Sequence, residues 1–162
     1  MSDATQKQAL NIFFGALKSL HDEKILINKK DFTCQIGEWL VETIYDGKRS
    51  KNGIQKGWDV EVCGKYIQVK AHSKAETNKK NRFSALKKYS DVQIDELIII
   101  EFTFDYKLNE FYIVPWSEAT KHIVVRGKKN PRSEINWSSL QDYKVDIKTL
   151  PRQDIISIFL HG

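Results

Sequence analysis

Apolar residues change their spacing several times along this chain, and each spacing predicts an element. Leu10, Phe13, Phe14, Leu17 and Leu20 recur at intervals of three and four, which predicts an amphipathic helix over 4–20. A second helix is predicted from about Thr33 to Tyr45, with Ile36, Leu40, Val41 and Ile44 as its apolar stripe and Gly47 two residues past its end. Residues 58–63 and 66–71 alternate with period two instead, the mark of half-buried strands. Between them, Gly64 and Lys65 suit a two-residue turn. A basic loop over 74–82 and a short helix around 83–89 come next. "ELIIIEFTFDY" and "EFYIVPW" predict two strands joined through Lys107 to Asn109, and "WSSLQDY" and "PRQDIISIFL" predict one short helix and a final one opened by proline. The resulting order, α-α-β-β-α-β-β-α, predicts an α/β protein with a mixed central sheet flanked by helices. With no linker or repeat in 162 residues, the expectation is one domain, 1–162.

The predicted hairpin raises the functional question. With Gly64 and Lys65 as its loop, Glu61 faces Gln68, Val60 faces Val69 and Asp59 faces Lys70. Val60, Val62, Ile67 and Val69 then share one face, and Asp59, Glu61, Gln68 and Lys70 share the other. Opposed residues in such a ladder lie roughly 4.5–5.5 Å apart at Cβ. Four polar side chains at that spacing make either a small ligand site or two cross-strand contacts on a solvated face, worth about 0.2–1 kcal/mol each.

Charge shifts the balance towards a site. The chain carries +5 overall, but the basic residues are clustered. Residues 74–88 hold Lys74, Lys79, Lys80, Arg82, Lys87 and Lys88 against Glu76, while 48–56 and 126–132 hold four cations each, leaving the remainder acidic. Three basic clusters around one polar hairpin point to phosphate, and so to nucleic acid, as the partner. No signal-peptide pattern and no apolar run of the ~20 residues needed to span a bilayer occur. Cys34 and Cys63 have neither CxxC spacing nor clustered histidines. A soluble, reducing, cytoplasmic setting is therefore expected, without a membrane partner.

Gly37-Glu38 on a helix, Asp59 opening a strand after "KGW", and Gln68 and Lys70 in "IQVK" on the next strand resemble the PD-(D/E)XK nuclease superfamily, the restriction-endonuclease-like fold. The resemblance covers roughly residues 33 to 105. It implies a metal-dependent endonuclease hydrolysing phosphodiester bonds in DNA, in restriction, repair or mobile-element biology, with Mg2+ or Mn2+ as cofactor. By the same resemblance Asp59, Glu38 and Gln68 are the metal ligands and Lys70 is the catalytic lysine. The sequence departs from the family at one point, reading QXK where (D/E)XK is usual. An amide oxygen can ligate a hard cation but brings no negative charge.

These residue types suit the chemistry. Water attacking a phosphodiester meets the substrate's own negative charge, so a cation must polarise the phosphate and acidify the water. Lys70 beside such a site would orient the water or stabilise the developing charge. Lys74, Lys79, Lys80, Arg82, Lys87 and Lys88 would clamp the backbone without reading bases. His72 and Glu61 on the same strand faces, with Gln35 and Glu42 one turn either side of Glu38, are secondary candidates. Trp58, Trp116 and Trp137 read as core or interface residues. Two alternatives stand beside the nuclease: a nucleic-acid-binding module on the same fold in which QXK has abolished cleavage, and a basic interaction protein. A homodimer is a common arrangement where both strands of a duplex are cut, though nothing in the sequence identifies an interface.

Overall fold

The computed structural model describes residues 3–28, 31–50, 57–73, 82–86 and 92–160. It is a mixed α/β protein. Two helices come first, α1 (Asp3–Asp22) and α2 (Phe32–Ile44). Strands β1 (Lys48–Arg49), β2 (Val60–Val62), β3 (Lys65–His72), β4 (Phe83–Ala85), β5 (Glu96–Phe102) and β6 (Leu108–Pro115) follow, then α3 (Trp116–Ala119), β7 (Ile123–Arg126), β8 (Arg132–Asn136) and α4 (Gln153–Ile156). One sheet runs β1-β2-β3-β5-β6 and the other β4-β8-β7. Among the described strands only β3 and β5 pair in parallel; the other pairings are antiparallel.

The larger sheet is buried on both faces, and β5 explains why. Leu97 through Phe102 are all buried, as expected of a near-continuous apolar strand covered on both sides. Ile98, Ile100 and Phe102 join Ile67, Val69 and Ala71 of β3 under Leu40, Val41 and Ile44 of α2. Leu97 and Ile99 join Tyr112, Ile135, Trp137 and Leu140 beneath the smaller sheet. Helix α2 lies unusually close to β3, because a Cβ built on Gly37 would stand 2.5 Å from the Ala71 Cβ. Its start is fixed by Asp31, whose carboxylate accepts from the Thr33 N–H at 2.8 Å.

Helix α1 forms where the spacing of three and four predicts it, yet its apolar stripe stays exposed: Leu10 is 53% and Phe13 50% accessible. The segment just after it is tied to the body through Arg49, which donates to the Ile25 and Lys24 carbonyls and pairs with Glu42 at 2.6 Å.

Three expectations need correction. The hairpin loop is Cys63-Gly64, one residue earlier than predicted. Both residues have positive φ, +49° and +81°, the combination of a type I′ turn with glycine second. Val60 therefore pairs with Ile67 and Glu61 with Tyr66. The shift keeps every side chain on its face but slides β2 by two residues along β3. Second, no helix occupies the described part of 83–89: residues 83–85 form β4, paired to β8, while 87–89 lie outside the described residues. Third, the β5–β6 turn spans 103–107, with Phe102 against Leu108. Strands β7 and β8, unforeseen, turn the basic 126–132 stretch into a hairpin tip.

Candidate functional site

Strand β2 parts from β3 at Asp59, and the candidate site begins at that parting. Gly57, at φ +98° and packed on Val92, admits the chain, and Trp58 tilts against Tyr66 with ring centroids 5.0 Å apart. Asp59 N–H then donates to the Ile67 carbonyl at 2.8 Å. Beyond that bond the side chain takes over from the ladder: Asp59 Oδ2 accepts from the Val69 N–H at 2.7 Å. Asp59 thus brackets Gln68, where the predicted register had set it against Lys70.

Gln68 and Lys70 alternate away from Ile67, Val69 and Ala71, so they share the face covered by the smaller sheet. Gln68 is 7% exposed, and its Oε1 is buried with no hydrogen-bond partner. Buried polar atoms are rarely left so, and each one needs a cause. Glu38 sits on α2, the helix that covers the opposite, Ile67–Val69–Ala71 face of the sheet. The Cys34 thiol of the same helix lies 3.9 Å from the Ala71 carbonyl; burial pushes it up, Asp31 adds to this, Lys70 opposes and Glu38 adds again. Glu38 and Lys70 therefore both act electrostatically on one thiol.

Among the described residues no three His, Cys, Asp or Glu side chains group to hold a metal. A donor set here would have to be mixed, and Asp59 with the orphaned Gln68 amide oxygen fits one: hard oxygens, one charged and one neutral.

The secondary candidates are placed plainly. Gln35 Oε1 accepts from the Ile27 and Asn28 N–H groups at 2.8 and 3.0 Å, holding a loop. Glu42 binds Arg49. Glu61 lies across from Tyr66. His72 stacks on Trp137 with centroids 4.5 Å apart, and its Nε2 shares a 2.7 Å hydrogen bond with buried Ser84 of β4. Burial, then the charge of Lys70, lowers its pKa to about 4. The unfolded chain binds that proton below the ordinary 6.5 and the folded chain does not. Stability is thus full above about 6.5 and falls by about 2–3 kcal/mol as pH drops towards 4. Thermal melts across that window should show the loss in wild type and a flatter profile in His72→Gln.

Of the predicted phosphate contacts, Lys74, Lys79, Lys80, Lys87 and Lys88 lie outside the described residues. Arg82 is described, and it points inward. Its side chain is 11% exposed and donates to Glu110 at 2.5 Å, Glu101 at 3.4 Å and the Tyr112 hydroxyl at 2.8 Å. Arg126 likewise pairs with Glu134, and Arg49 with Glu42. In the described parts of the basic clusters Arg49 and Arg82 are turned inward to carboxylates, for which their planar fork is suited; Arg126 is 61% exposed beside Glu134, and Lys48, Lys128, Lys129 and Arg132 stay exposed. The Arg82 hub was missed because its partners are 19 to 30 residues away. Its one visible signal was Glu101 inside "LIIIEF".

No protein-family model matches this chain, and no curated protein matches it. Among the described residues no helix is long and apolar enough to cross a membrane.

Proposed function

We propose that this protein is a metal-dependent nuclease of the restriction-endonuclease-like kind, hydrolysing phosphodiester bonds in DNA. The observation that carries the reading is made where β2 parts from β3: the Asp59 carboxylate accepts from the Val69 N–H, and Gln68, one residue before Val69, has a buried Oε1 with no partner. Lys70 follows two residues later on the Gln68 face. Asp59 and Gln68, with Glu38 as the further carboxylate, would hold Mg2+ or Mn2+. A bound divalent cation would polarise the phosphate and lower the pKa of attacking water. Lys70 would orient that water and offset negative charge growing on the phosphorus oxygens. The exposed lysines of the β7–β8 hairpin tip would meet the DNA backbone, on the side of the sheet where Lys70 lies.

The direct test is nicking of supercoiled plasmid in magnesium, in manganese and in chelator. Loss of all metal-dependent cleavage in folded wild-type protein would leave a non-cleaving DNA-binding module as the reading. Gln68→Glu tests the donor set without activity. A carboxylate buried at that position is costly when unpaired, so the variant should be destabilised by about 1–3 kcal/mol in chelator. Millimolar magnesium should restore much of the loss, because a ligand bound only by the folded state stabilises it. A chelator-insensitive melt would show that position 68 does not face a cation.

A further inference from the structure

At the C-terminal end of β3, beyond Lys70, a cavity of about 140 Å3 is lined by Asp31, Thr33, Ala71, His72 and Ser73. A cavity of ~150 Å3 accommodates a benzene ring, so this one has room for a single six-membered ring. Its lining is polar. Asp31 is an acceptor only; one oxygen caps α2 through the Thr33 N–H, and a carboxylate has a second. His72 is held by stacking on Trp137 and by Ser84 through Nε2, and it is neutral at ordinary pH because burial and Lys70 press its pKa down. Lys70 lies two residues before His72 on the same face of β3.

An aromatic cluster adjoins it. The Thr33 hydroxyl meets the Tyr106 hydroxyl at 2.6 Å. The Tyr106 ring stacks on Phe32 at 6.4 Å and 29°, and Phe104 on the same turn is 84% exposed. Tyr106 also adopts φ +63°, a strained choice for a bulky residue that persists where the surrounding fold imposes it, often at ligand clamps. Phe32 is also exposed, at 44%, whereas Tyr106 is partly buried against the core; exposed rings are a component of single-strand recognition, in which bases stack on aromatic side chains.

We propose that the cavity and this aromatic cluster hold one unpaired DNA nucleotide whose base is a six-membered ring bearing an exocyclic amine. The substrate of the site is then single-stranded or locally opened DNA with cytosine at this position. The inference rests on the nuclease reading of Asp59 and Lys70 and names its substrate. Asp31 accepts from the cytosine amine, a pairing carboxylates make with that base; Phe32, Tyr106 and Phe104 stack the neighbouring nucleotide.

Anisotropy of labelled oligo-dC, oligo-dT and a dC·dG duplex, in chelator so that nothing is cut, tests this. Oligo-dC is expected to bind tightest. Phe104→Ala should weaken single-strand binding by about 5- to 150-fold. Asp31→Asn, which retains a good helix cap, should abolish the preference for oligo-dC over oligo-dT. Equal binding of the two strands by wild type, or tighter binding of the duplex, overturns the proposal. If plasmid cleavage proceeds while neither variant alters binding, the pocket is wrong and the nuclease reading stands. If cleavage is absent but the oligo-dC preference disappears in Asp31→Asn, the pocket stands and the nuclease reading fails.

Discussion

Arg82→Met is expected to destabilise the protein by about 3–5 kcal/mol, the usual cost of removing one partner from a buried ionic group. Glu101 is 1% exposed and its Oε1 already lacks a partner. Burial raises its pKa, and the charge of Glu110 raises it further. Glu110 is held down to about 2 despite its own burial, because Lys144, Arg82 and the Tyr112 hydroxyl all bond it. Without the guanidinium, two carboxylates would face each other with Lys144 as the remaining cation on Glu110.

The unfolding midpoint should then drop by roughly 6–20 °C for a chain of this size. The sign of the pH response identifies the cause. Losing Arg82 raises both folded-state carboxylate pKa values, so the folded variant binds more protons than wild type, and its deficit should shrink as pH falls below neutrality. Adding Glu101→Gln should recover part of the loss at pH 7. A deficit under about 1 kcal/mol, or one independent of pH, would mean that Arg82 is not the keystone of this cluster. The same arrangement removes Arg82 from the predicted phosphate contacts, since its donors are already engaged.

What the sequence disclosed follows the range over which each signal acts. Helix α2, the β2–β3 hairpin and the β5–β6 pair came through, since their periodicity is local and their apolar faces meet the two cores. The hairpin register did not, because Gly64 fits the second position of a type I′ turn as well as the first of a type II′ turn, and one residue of loop moves the pairing by two. Strands β4, β7 and β8 were hidden for another reason. They are three to five residues long, and "FSALKK" carries a helical composition although its first three residues pair with β8. At the candidate site the residue types were legible and their partners were not. The bonds of Asp59 to the Ile67 and Val69 backbone, either side of Gln68, depend on where β2 leaves the sheet. The exposed stripe of α1 was equally invisible, because periodicity reports an apolar face without saying what covers it.

Lys70→Met and Asp59→Asn should each reduce plasmid nicking at least about 100-fold, the scale on which single charge-stabilising groups act in a transition state. Asparagine is the informative replacement at 59. It keeps an oxygen for the Val69 N–H, so the strand edge persists and a lost rate reports lost charge, whereas alanine would also leave that N–H unpaired. Methionine preserves the Lys70 stem against the sheet. Both variants should melt within about 2 °C of wild type. Binding should divide them. Lys70→Met should lower the slope of log affinity against log salt by about 0.9 on duplex or 0.7 on single strands, one phosphate's worth. Asp59→Asn, which removes a negative charge near that phosphate, should bind as tightly as wild type or tighter. The mechanism is lost if either variant nicks at the wild-type rate, and Lys70 is moved away from the phosphate if its salt slope is unchanged.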